Sequence, residues 1–328
     1  MRKEILVAII VGIGVGVVVA FGIWRANSAL KTNLPDLPSL LQGQAPTQAP
    51  QEFKVTTAEP EQNDVITDSP VAISGITKSS SWIVISAETK DYVFLTDSGG
   101  AFSQEVELST GVNQILIAAF DSTGEKTEST LTIVYSTEFA QDLETPSPSS
   151  PTGQPKNDIR EKVQEKLEAA RNNPKAYIGS VTDKTQDSLQ VKDEGDEIQL
   201  VSVNPENVSF AKVSKSTSTI SFNDIAIGDF IVAMGLKNGN NVLTAVRILV
   251  AEPPETPNRR VILGKIITIA KKEVALQQKN GSEITLKFPK SWKGPDLDEL
   301  NIEDTLFAFG ELEGNTLNIR TIEVVEVK

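Results

Sequence analysis

The sequence predicts a mainly β protein behind an N-terminal transmembrane helix. An apolar run over residues 5–24 holds no charged residue and has the length of about 20 residues that a helix needs to cross a bilayer. Short segments rich in Val, Ile and Thr, separated by turn residues, follow between residues 53 and 136. The C-terminal half repeats itself, which predicts two copies of one folding unit.

The apolar run at the N-terminus is interpreted as an uncleaved, single-pass anchor. It is longer than the roughly 7–15 apolar residues of a secretory signal, although the small residues after Arg25 keep a cleaved signal as the alternative. Arg2 and Lys3 precede the run and favour a cytoplasmic tail of residues 1–4. The predicted location is therefore the cell membrane, with the C-terminal domains extracytoplasmic.

Composition excludes several classes of function. The 328 residues include no histidine and no cysteine, so Ser-His-Asp triads, thiol catalysis and most zinc sites are ruled out. The formal net charge of −13 disfavours nucleic acid, whose binding depends on Lys and Arg. The acidic clusters at 193–197 and 296–299 lack the spacing of a calcium loop. We therefore predict no cofactor, no metal and no catalytic residue.

Three stretches have the composition of linkers. Residues 25–52 are rich in Pro and Gln, residues 137–157 are rich in Pro and Ser, and residues 253–259 hold three prolines. Proline-rich linkers extend by about 3 Å per residue, so the first would hold the following domains away from the bilayer. The sequence therefore predicts separate modules on flexible connections.

Two features would allow self-association. Gly12 and Gly16 have the G-x-x-x-G spacing at which two membrane helices pair, although glycine is also frequent in such helices without pairing. A soluble helix is predicted over residues 158–173, capped by Asn157 or Asp158 and ended by Pro174. Its apolar stripe includes Ile159, Val163 and Leu167. The stripe is short for a coiled coil, so packing on the next domain is the favoured interpretation and pairing of two copies is the alternative; the oligomeric state stays open.

Residues 53–136 read as an all-β sandwich, with strands predicted at 70–76, 82–88, 92–96, 101–108, 112–120 and 128–135. The segments SPVAISGITKSSSWIVIS and GVNQILIAAFDSTG resemble the bacterial immunoglobulin-like domains of surface and secreted proteins. That resemblance implies a spacer or adhesion scaffold outside the cytoplasm.

The repeat covers residues 175–252 and 260–328. SLQVKDEGDEIQLVSV from Ser188 matches EVALQQKNGSEITLKF from Glu273, and FNDIAIGDFIVAMG from Phe222 matches LDELNIEDTLFAFG from Leu297. Five or six strands with little helix bury their apolar face best in a small closed barrel. Both copies resemble a bacterial family of small OB-like β-barrels of unknown function. Because Glu303-Asp304 replaces Gly228-Asp229, the turn of the second copy is expected to differ in shape.

The full fold-class prediction is mainly β: N-terminal transmembrane helix, Ig-like β-sandwich, short helix and tandem small OB-like β-barrels. Three aromatics with polar atoms, Trp292, Tyr177 and Tyr92, are candidates for a ligand or partner surface. The alternative is that such side chains are core anchors, which is the interpretation favoured for Trp82.

The predicted function is a non-catalytic, membrane-anchored cell-envelope protein that displays its modules for structural, spacing or binding roles. Its predicted partners are the membrane and either cell-wall glycan or an envelope protein, with no nucleic acid. The alternative is an envelope enzyme, or an enzyme accessory, that acts on cell-wall glycan. A deep acidic cleft in either barrel would favour the enzyme, and filled barrel interiors would favour the module.

Overall fold

A computed structural model describes residues 52–144, 173–254, 258–271 and 273–325. The mainly β prediction is confirmed over these residues. The predicted anchor at 5–24 and, apart from Asn173, the predicted helix at 158–173 lie outside them. Within the described ranges, no helix is long and apolar enough to cross a membrane.

The first module is a sandwich of two sheets. One sheet has the order β1-β3-β6, and the other has the order β2-β8-β7-β4-β5. The six strands expected from the sequence are present with ends shifted by at most two residues, and β1 and β2 were not predicted. The strands are β1 (Thr56–Glu59), β2 (Val65–Ile66), β3 (Val71–Ile76), β4 (Trp82–Ser86), β5 (Asp91–Leu95), β6 (Ala101–Val106), β7 (Gly111–Phe120) and β8 (Lys126–Tyr135).

The core of the sandwich lies between the two sheets. Alternate residues of each strand point inward, as the two-residue period of a strand requires. Ile83 and Ile85 of β4 meet Ile115 and Ile117 of β7 in this core, and all four are fully buried. Val84 of β4 and Ala118 of β7 point to the opposite face and are also fully buried, so this part of the five-stranded sheet is covered on its outer face as well.

A helix, α1 (Thr137–Glu144), follows the sandwich directly. The sequence predicted the start of a linker here, and that part of the prediction is wrong. Ser136 caps the helix, because its Oγ accepts a hydrogen bond of 3.2 Å from the backbone N–H of Phe139. Phe139 is fully buried and Leu143, one turn later, is half-buried, so the helix has an apolar face. The linker prediction overlooked this face because it rested on the Pro and Ser content of the following residues.

The two C-terminal modules are small β-barrels, which we call barrel 1 and barrel 2. In each, the strand order is first, second, third, fifth and fourth, with the third and fifth strands parallel. Barrel 1 carries an additional hairpin, β12-β13, beside β15. The strands of barrel 1 are β9 (Lys175–Lys184), β10 (Ser188–Lys192), β11 (Ile198–Ser202), β12 (Ser209–Val213), β13 (Thr217–Thr219), β14 (Phe230–Lys237) and β15 (Val242–Ala251). Those of barrel 2 are β16 (Arg259–Ala270), β17 (Glu273–Gln277), β18 (Glu283–Lys287), β19 (Thr305–Glu313) and β20 (Thr316–Val325).

Aliphatic side chains fill both barrel interiors. Fully buried interior residues of barrel 1 include Leu189, Val191, Val201, Ile231 and Leu243. The matching residues of barrel 2 include Val274, Leu276, Leu286, Leu306 and Leu317. Each barrel is therefore a packed core.

The turn before the fourth strand has the same shape in both barrels, so the expectation of a different turn in the second copy is wrong. Gly228 has φ +98° and Glu303 has φ +77°, both in the left-handed region. The Asp229 carboxylate accepts a hydrogen bond of 2.8 Å from Ala226 N, and Asp304 repeats this bond with Asn301 N at 2.8 Å. The hydrogen bonds of the turn therefore hold a non-glycine residue in a backbone conformation that glycine prefers.

Candidate binding surfaces

The three aromatics chosen from the sequence lie in three separate modules. The Tyr177 ring belongs to the core of barrel 1, and its hydroxyl donates a hydrogen bond of 2.6 Å to the carbonyl of Asn241. Burial raises the pKa of Tyr177. Tyr92 is half-buried on β5, where its hydroxyl accepts a hydrogen bond of 3.3 Å from Glu107 N and the Lys90 ammonium lies 5.0 Å from its ring centroid.

Trp292 is half-buried and folds back onto its own loop. Its indole Nε1 donates a hydrogen bond of 2.9 Å to the carbonyl of Pro295, and its ring meets Phe288 edge-on with centroids 4.9 Å apart. A Cβ atom on Gly294 would lie 2.0 Å from the ring, so that position accepts only glycine in this arrangement. Trp292 thus covers the core of barrel 2. The other chosen residues, Gly12, Gly16, Ile159, Val163 and Leu167, lie outside the described part of the chain.

The surfaces that the structure brings together are instead the junctions between modules. Each barrel packs the outer face of its first and fourth strands against the sandwich, and we call this its docking face. On barrel 2 the docking face consists of Val261, Leu263, Phe307 and Phe309, and on barrel 1 of Ala176, Ile178, Val232 and Met234. Val232 and Met234 correspond to Phe307 and Phe309 in the internal repeat, so both copies dock through the same face.

Barrel 2 docks on the outer face of β4 and β7. Phe307 packs between Trp82 and Phe120, with ring centroids at 6.0 Å and 5.1 Å and both pairs in edge-to-face geometry. Val84 and Ala118 complete this contact and are fully buried. The sequence analysis did not predict that the outward-facing apolar residues of β4 and β7 form a contact surface. An unbroken apolar run in the sequence, such as residues 115–120, could have indicated it, because such a run is typical of a strand buried on both faces.

Two arginines of barrel 2 form hydrogen bonds and ion pairs with the turn between β4 and β5 and its surroundings. Arg259 donates hydrogen bonds to the carbonyls of Ser86 at 3.3 Å and Gln114 at 2.8 Å, and to the Glu88 carboxylate at 2.5 Å. Arg320 binds both carboxylate oxygens of Asp91. It also donates to the carbonyls of Ala87 and Glu88 at 3.1 Å and 3.2 Å. This fork geometry fixes the orientation of the barrel, because a planar guanidinium bonds in defined directions.

Barrel 1 joins the sandwich through its backbone. Val65 N donates to the carbonyl of Pro174 at 2.9 Å, and Ala176 N donates to the carbonyl of Asn63 at 2.7 Å. The Lys175 ammonium lies 2.6 Å from both the Asp64 and the Glu61 carboxylates. Burial alone would lower the pKa of Lys175, but these two carboxylates outweigh it and raise the pKa.

Helix α1 is part of the barrel 1 junction. Phe139 packs with Val134 of the sandwich and with Val232 and Met234 of barrel 1. Asp142 of the helix pairs with Arg247 at 2.9 Å and accepts a hydrogen bond of 2.5 Å from Ser209 Oγ. The helix therefore packs Phe139 between the sandwich and barrel 1 and is bound to barrel 1 by the ion pair of Asp142 with Arg247.

A groove of about 1190 Å³ lies where the sandwich meets barrel 2, and we call it the junction groove. Its apolar lining includes Trp82, Phe120 and the exposed Leu95. Amide and hydroxyl side chains are frequent in its lining, and they include Ser80, Ser122, Thr123, Gln277, Gln278 and Asn280. Its cations are Lys126, Arg260, Lys265 and Lys279, and Asp121 is the acidic residue that lines it.

Asp121 is satisfied within its own turn. Its carboxylate accepts hydrogen bonds from Thr123 N at 2.9 Å, Thr123 Oγ1 at 2.7 Å and Glu125 N at 3.0 Å, and it pairs with Lys78 at 2.9 Å. Burial would raise the pKa of Asp121, but these donors together hold the pKa well below its usual range. The Asp121 carboxylate thus stabilises the turn that forms part of the groove wall.

A second cavity, of about 730 Å³, lies in barrel 1 between the loop after β9 and the β12-β13 hairpin. No acidic residue lines it. Lys184 and Arg247 are the cations that line it, and Lys184 donates hydrogen bonds of 2.7 Å to the carbonyls of both Phe222 and Ile225. Across the described ranges, no group of three or more acidic side chains is placed to hold a metal ion.

No protein-family model matches the chain, and no curated protein matches it. Among solved structures, a tetra-tandem repeat from the extending region of a large adhesion protein is 11% identical, with a TM-score of 0.21. That match covers 84% of this chain and 74% of the other. A Ca²⁺-stabilised adhesin that helps an Antarctic bacterium bind ice is 12% identical, with a TM-score of 0.19 and coverage of 82% and 73%. A 1.5-MDa bacterial ice-binding adhesin is 13% identical, with a TM-score of 0.18 and coverage of 82% and 94%. These neighbours are adhesin structures, and at such TM-scores the likeness carries no argument about activity.

Proposed function

We propose that this chain is a non-catalytic, membrane-anchored protein of the bacterial cell envelope. In this proposal it holds one Ig-like sandwich and two OB-like barrels in a fixed arrangement outside the membrane. The observation that carries the proposal is the docking of both barrels, through equivalent faces, on the outer face of one sandwich sheet. Such an arrangement suits a protein whose task is to hold surfaces at set positions.

The strand order of the barrels supports the OB-like assignment. A five-stranded barrel closed by its third and fifth strands is the small Greek-key barrel of that fold. Nucleic-acid binding by such barrels needs a basic groove and exposed aromatic rings on which bases stack. Phe210 and Phe222 of barrel 1 are 7% and 6% exposed and pack against each other instead. The proposal therefore excludes nucleic acid as a partner.

The lining of the two cavities supports a non-catalytic role. Hydrolysis of a glycosidic bond commonly uses two carboxyl groups that flank the bond. The junction groove offers Asp121 alone, and the donors of its own turn occupy that carboxylate. The barrel 1 cavity offers no carboxyl group, and both barrel interiors are filled. The alternative of an enzyme acting on cell-wall glycan gains no support from these sites.

Fractionation of a bacterial host that produces the full chain tests the anchor. We expect the chain to stay with the membrane through a high-salt wash and to be digested by protease added to spheroplasts. A variant without residues 5–24 should appear in the soluble fraction. Recovery of the full chain in the soluble fraction would contradict the anchor, and release of soluble fragments from purified cell walls would contradict the non-catalytic role.

A further inference from the structure

The junction groove is lined mainly by positive charges, whereas the chain as a whole is negatively charged. The protein carries a formal net charge of −13, yet four cationic side chains and one carboxylate line the groove. Lys126 pairs with Glu128, and Lys265 pairs with Glu303. Arg260 and Lys279 form no ion pair with a carboxylate among the described residues. Their hydrogen bonds go to the Arg259 carbonyl and to Thr123 Oγ1, both at 3.0 Å, and both acceptors are uncharged.

The two modules build the groove jointly, because Trp82 and Thr123 belong to the sandwich while Arg260 and Lys279 belong to barrel 2. Contact with Phe307 holds the Trp82 ring in place, so the apolar wall exists before any ligand arrives. Preorganised side chains bind with less loss of conformational entropy. The groove also exceeds the roughly 300–1,000 Å³ of a small-molecule pocket, which favours a segment of a polymer.

We propose that the junction groove binds an acidic glycan, with Arg260 and Lys279 holding its carboxylates and Trp82 offering an apolar surface to its sugar rings. Guanidinium and ammonium groups form strong, charge-assisted hydrogen bonds with carboxylates. Sugar hydroxyls donate and accept hydrogen bonds, and so do the amides of Gln277 and Asn280 and the hydroxyl of Ser122. These neutral groups distinguish a glycan from a ligand that is recognised by charge alone.

The test is binding of polygalacturonate, a carboxylate-bearing glycan, to the full chain in detergent. We expect saturable binding that weakens with added salt, because salt screens exposed charges. Uncharged dextran should not bind. The double variant Arg260→Gln, Lys279→Gln should bind at least about tenfold more weakly, since it loses two charge-assisted contacts.

The matched control is Lys212→Gln, Lys215→Gln, which removes the same charge from exposed positions of barrel 1. It should bind polygalacturonate within about twofold of the parent, since surface changes away from a contact have small effects. Equal weakening of both double variants, or no binding by the parent, would overturn the proposal. Equally tight binding of polyglutamate would assign the groove to acidic peptides and also overturn it. None of these results bears on the anchor or on the docking of the barrels.

Discussion

At the scale of single residues, Arg320 and Asp91 carry the polar part of the barrel 2 junction. The Asp91 side chain is 1% exposed, and both of its oxygens bind the Arg320 guanidinium. A buried carboxylate that loses its cation is left with an uncompensated charge, which destabilises strongly. The turn between β4 and β5 therefore depends on barrel 2 for its own stability.

We predict that Arg320→Met lowers the free energy of unfolding by about 3 kcal/mol, because it leaves the buried Asp91 carboxylate without its cation and with only the hydrogen bond of 2.7 Å from Ser86 Oγ. Arg260→Met removes the same charge from an exposed position of the same barrel and should change stability by less than about 0.5 kcal/mol. Urea unfolding of the full chain in detergent measures both. Equal effects of the two substitutions would contradict the structural role of Arg320.

Asp121 makes stability depend on pH. Its pKa is held below that of the unfolded chain, so the folded state binds fewer protons than the unfolded state under acidic conditions. The stabilisation is fully present above the unfolded pKa of about 3.9 and is lost as pH falls below it. The turn over residues 121–125 should thus be among the acid-sensitive parts of the sandwich.

We predict that Asp121→Asn lowers stability at pH 7 and reduces the further loss between pH 4 and pH 2. Asp196→Asn is the comparison, because Asp196 is exposed and its pKa is lowered by Lys192 at the surface. That variant should follow the parent curve closely. Thermal midpoints of the full chain at a series of pH values give the answer, and parallel curves for Asp121→Asn and the parent would refute the assignment.

At the scale of elements, the turn before the fourth barrel strand shows the energetic cost of a left-handed backbone without any steric contact of the side chain. A Cβ atom on Gly228 would meet nothing within 4 Å, so a substitution there is penalised by its φ alone. Glu303 occupies the equivalent place with φ +77°. Left-handed backbone costs a non-glycine residue about 1–2 kcal/mol. Barrel 2 therefore carries strain that barrel 1 avoids.

We predict opposite effects from reciprocal changes at this turn. Gly228→Ala should lower stability by about 1 kcal/mol, and Glu303→Gly should raise it by about 0.5 kcal/mol after the added backbone entropy of glycine is offset. Glu303→Ala controls for loss of the exposed pair with Lys265, and it should leave stability nearly unchanged. Urea unfolding compares the three variants, and a loss of stability in Glu303→Gly would show that the turn is not strained.

Strands were predictable from the sequence because their signal is local. Alternating apolar residues and turn clusters placed six sandwich strands to within two residues, and the repeat predicted two similar units. Strand β1, with mostly exposed residues, gave no such signal. Helix α1 was missed because it is short and precedes a Pro/Ser-rich stretch, although Ser136 and the spacing of Phe139 and Leu143 mark it.

The candidate site was harder to predict, because the junction groove joins residues far apart in sequence. Trp82 and Lys279 are almost two hundred positions apart, and nothing in either local pattern connects them. The three candidate aromatics were predicted from residue type and, for Trp292, from its place in the loop between Pro289 and Pro295. Tyr177 and Trp292 bond their polar atoms to nearby carbonyls, an arrangement that only the folded chain reveals.

At the scale of the whole molecule, the sandwich and the two barrels form one compact unit. The sequence had predicted separate modules on flexible connections. The reason for the compact unit lies in the five-stranded sandwich sheet, whose outer face carries two apolar areas, one for each barrel. Leaving these areas in water would cost about 25 cal/mol for every Å² of apolar surface. The repeated docking face thus turns two barrels and a sandwich into a single body.

Distances between spin labels test this central claim most directly. The chain has no cysteine, so single cysteines at exposed Glu105 and Glu273 label the sandwich and barrel 2 without interference. A second pair, at Glu105 and Glu197, labels the sandwich and barrel 1. Electron–electron double resonance on the full chain should give one narrow distance distribution for each pair, and Phe307→Ser should broaden the first pair alone. Broad distributions for both pairs in the parent chain would show independent modules and contradict the account.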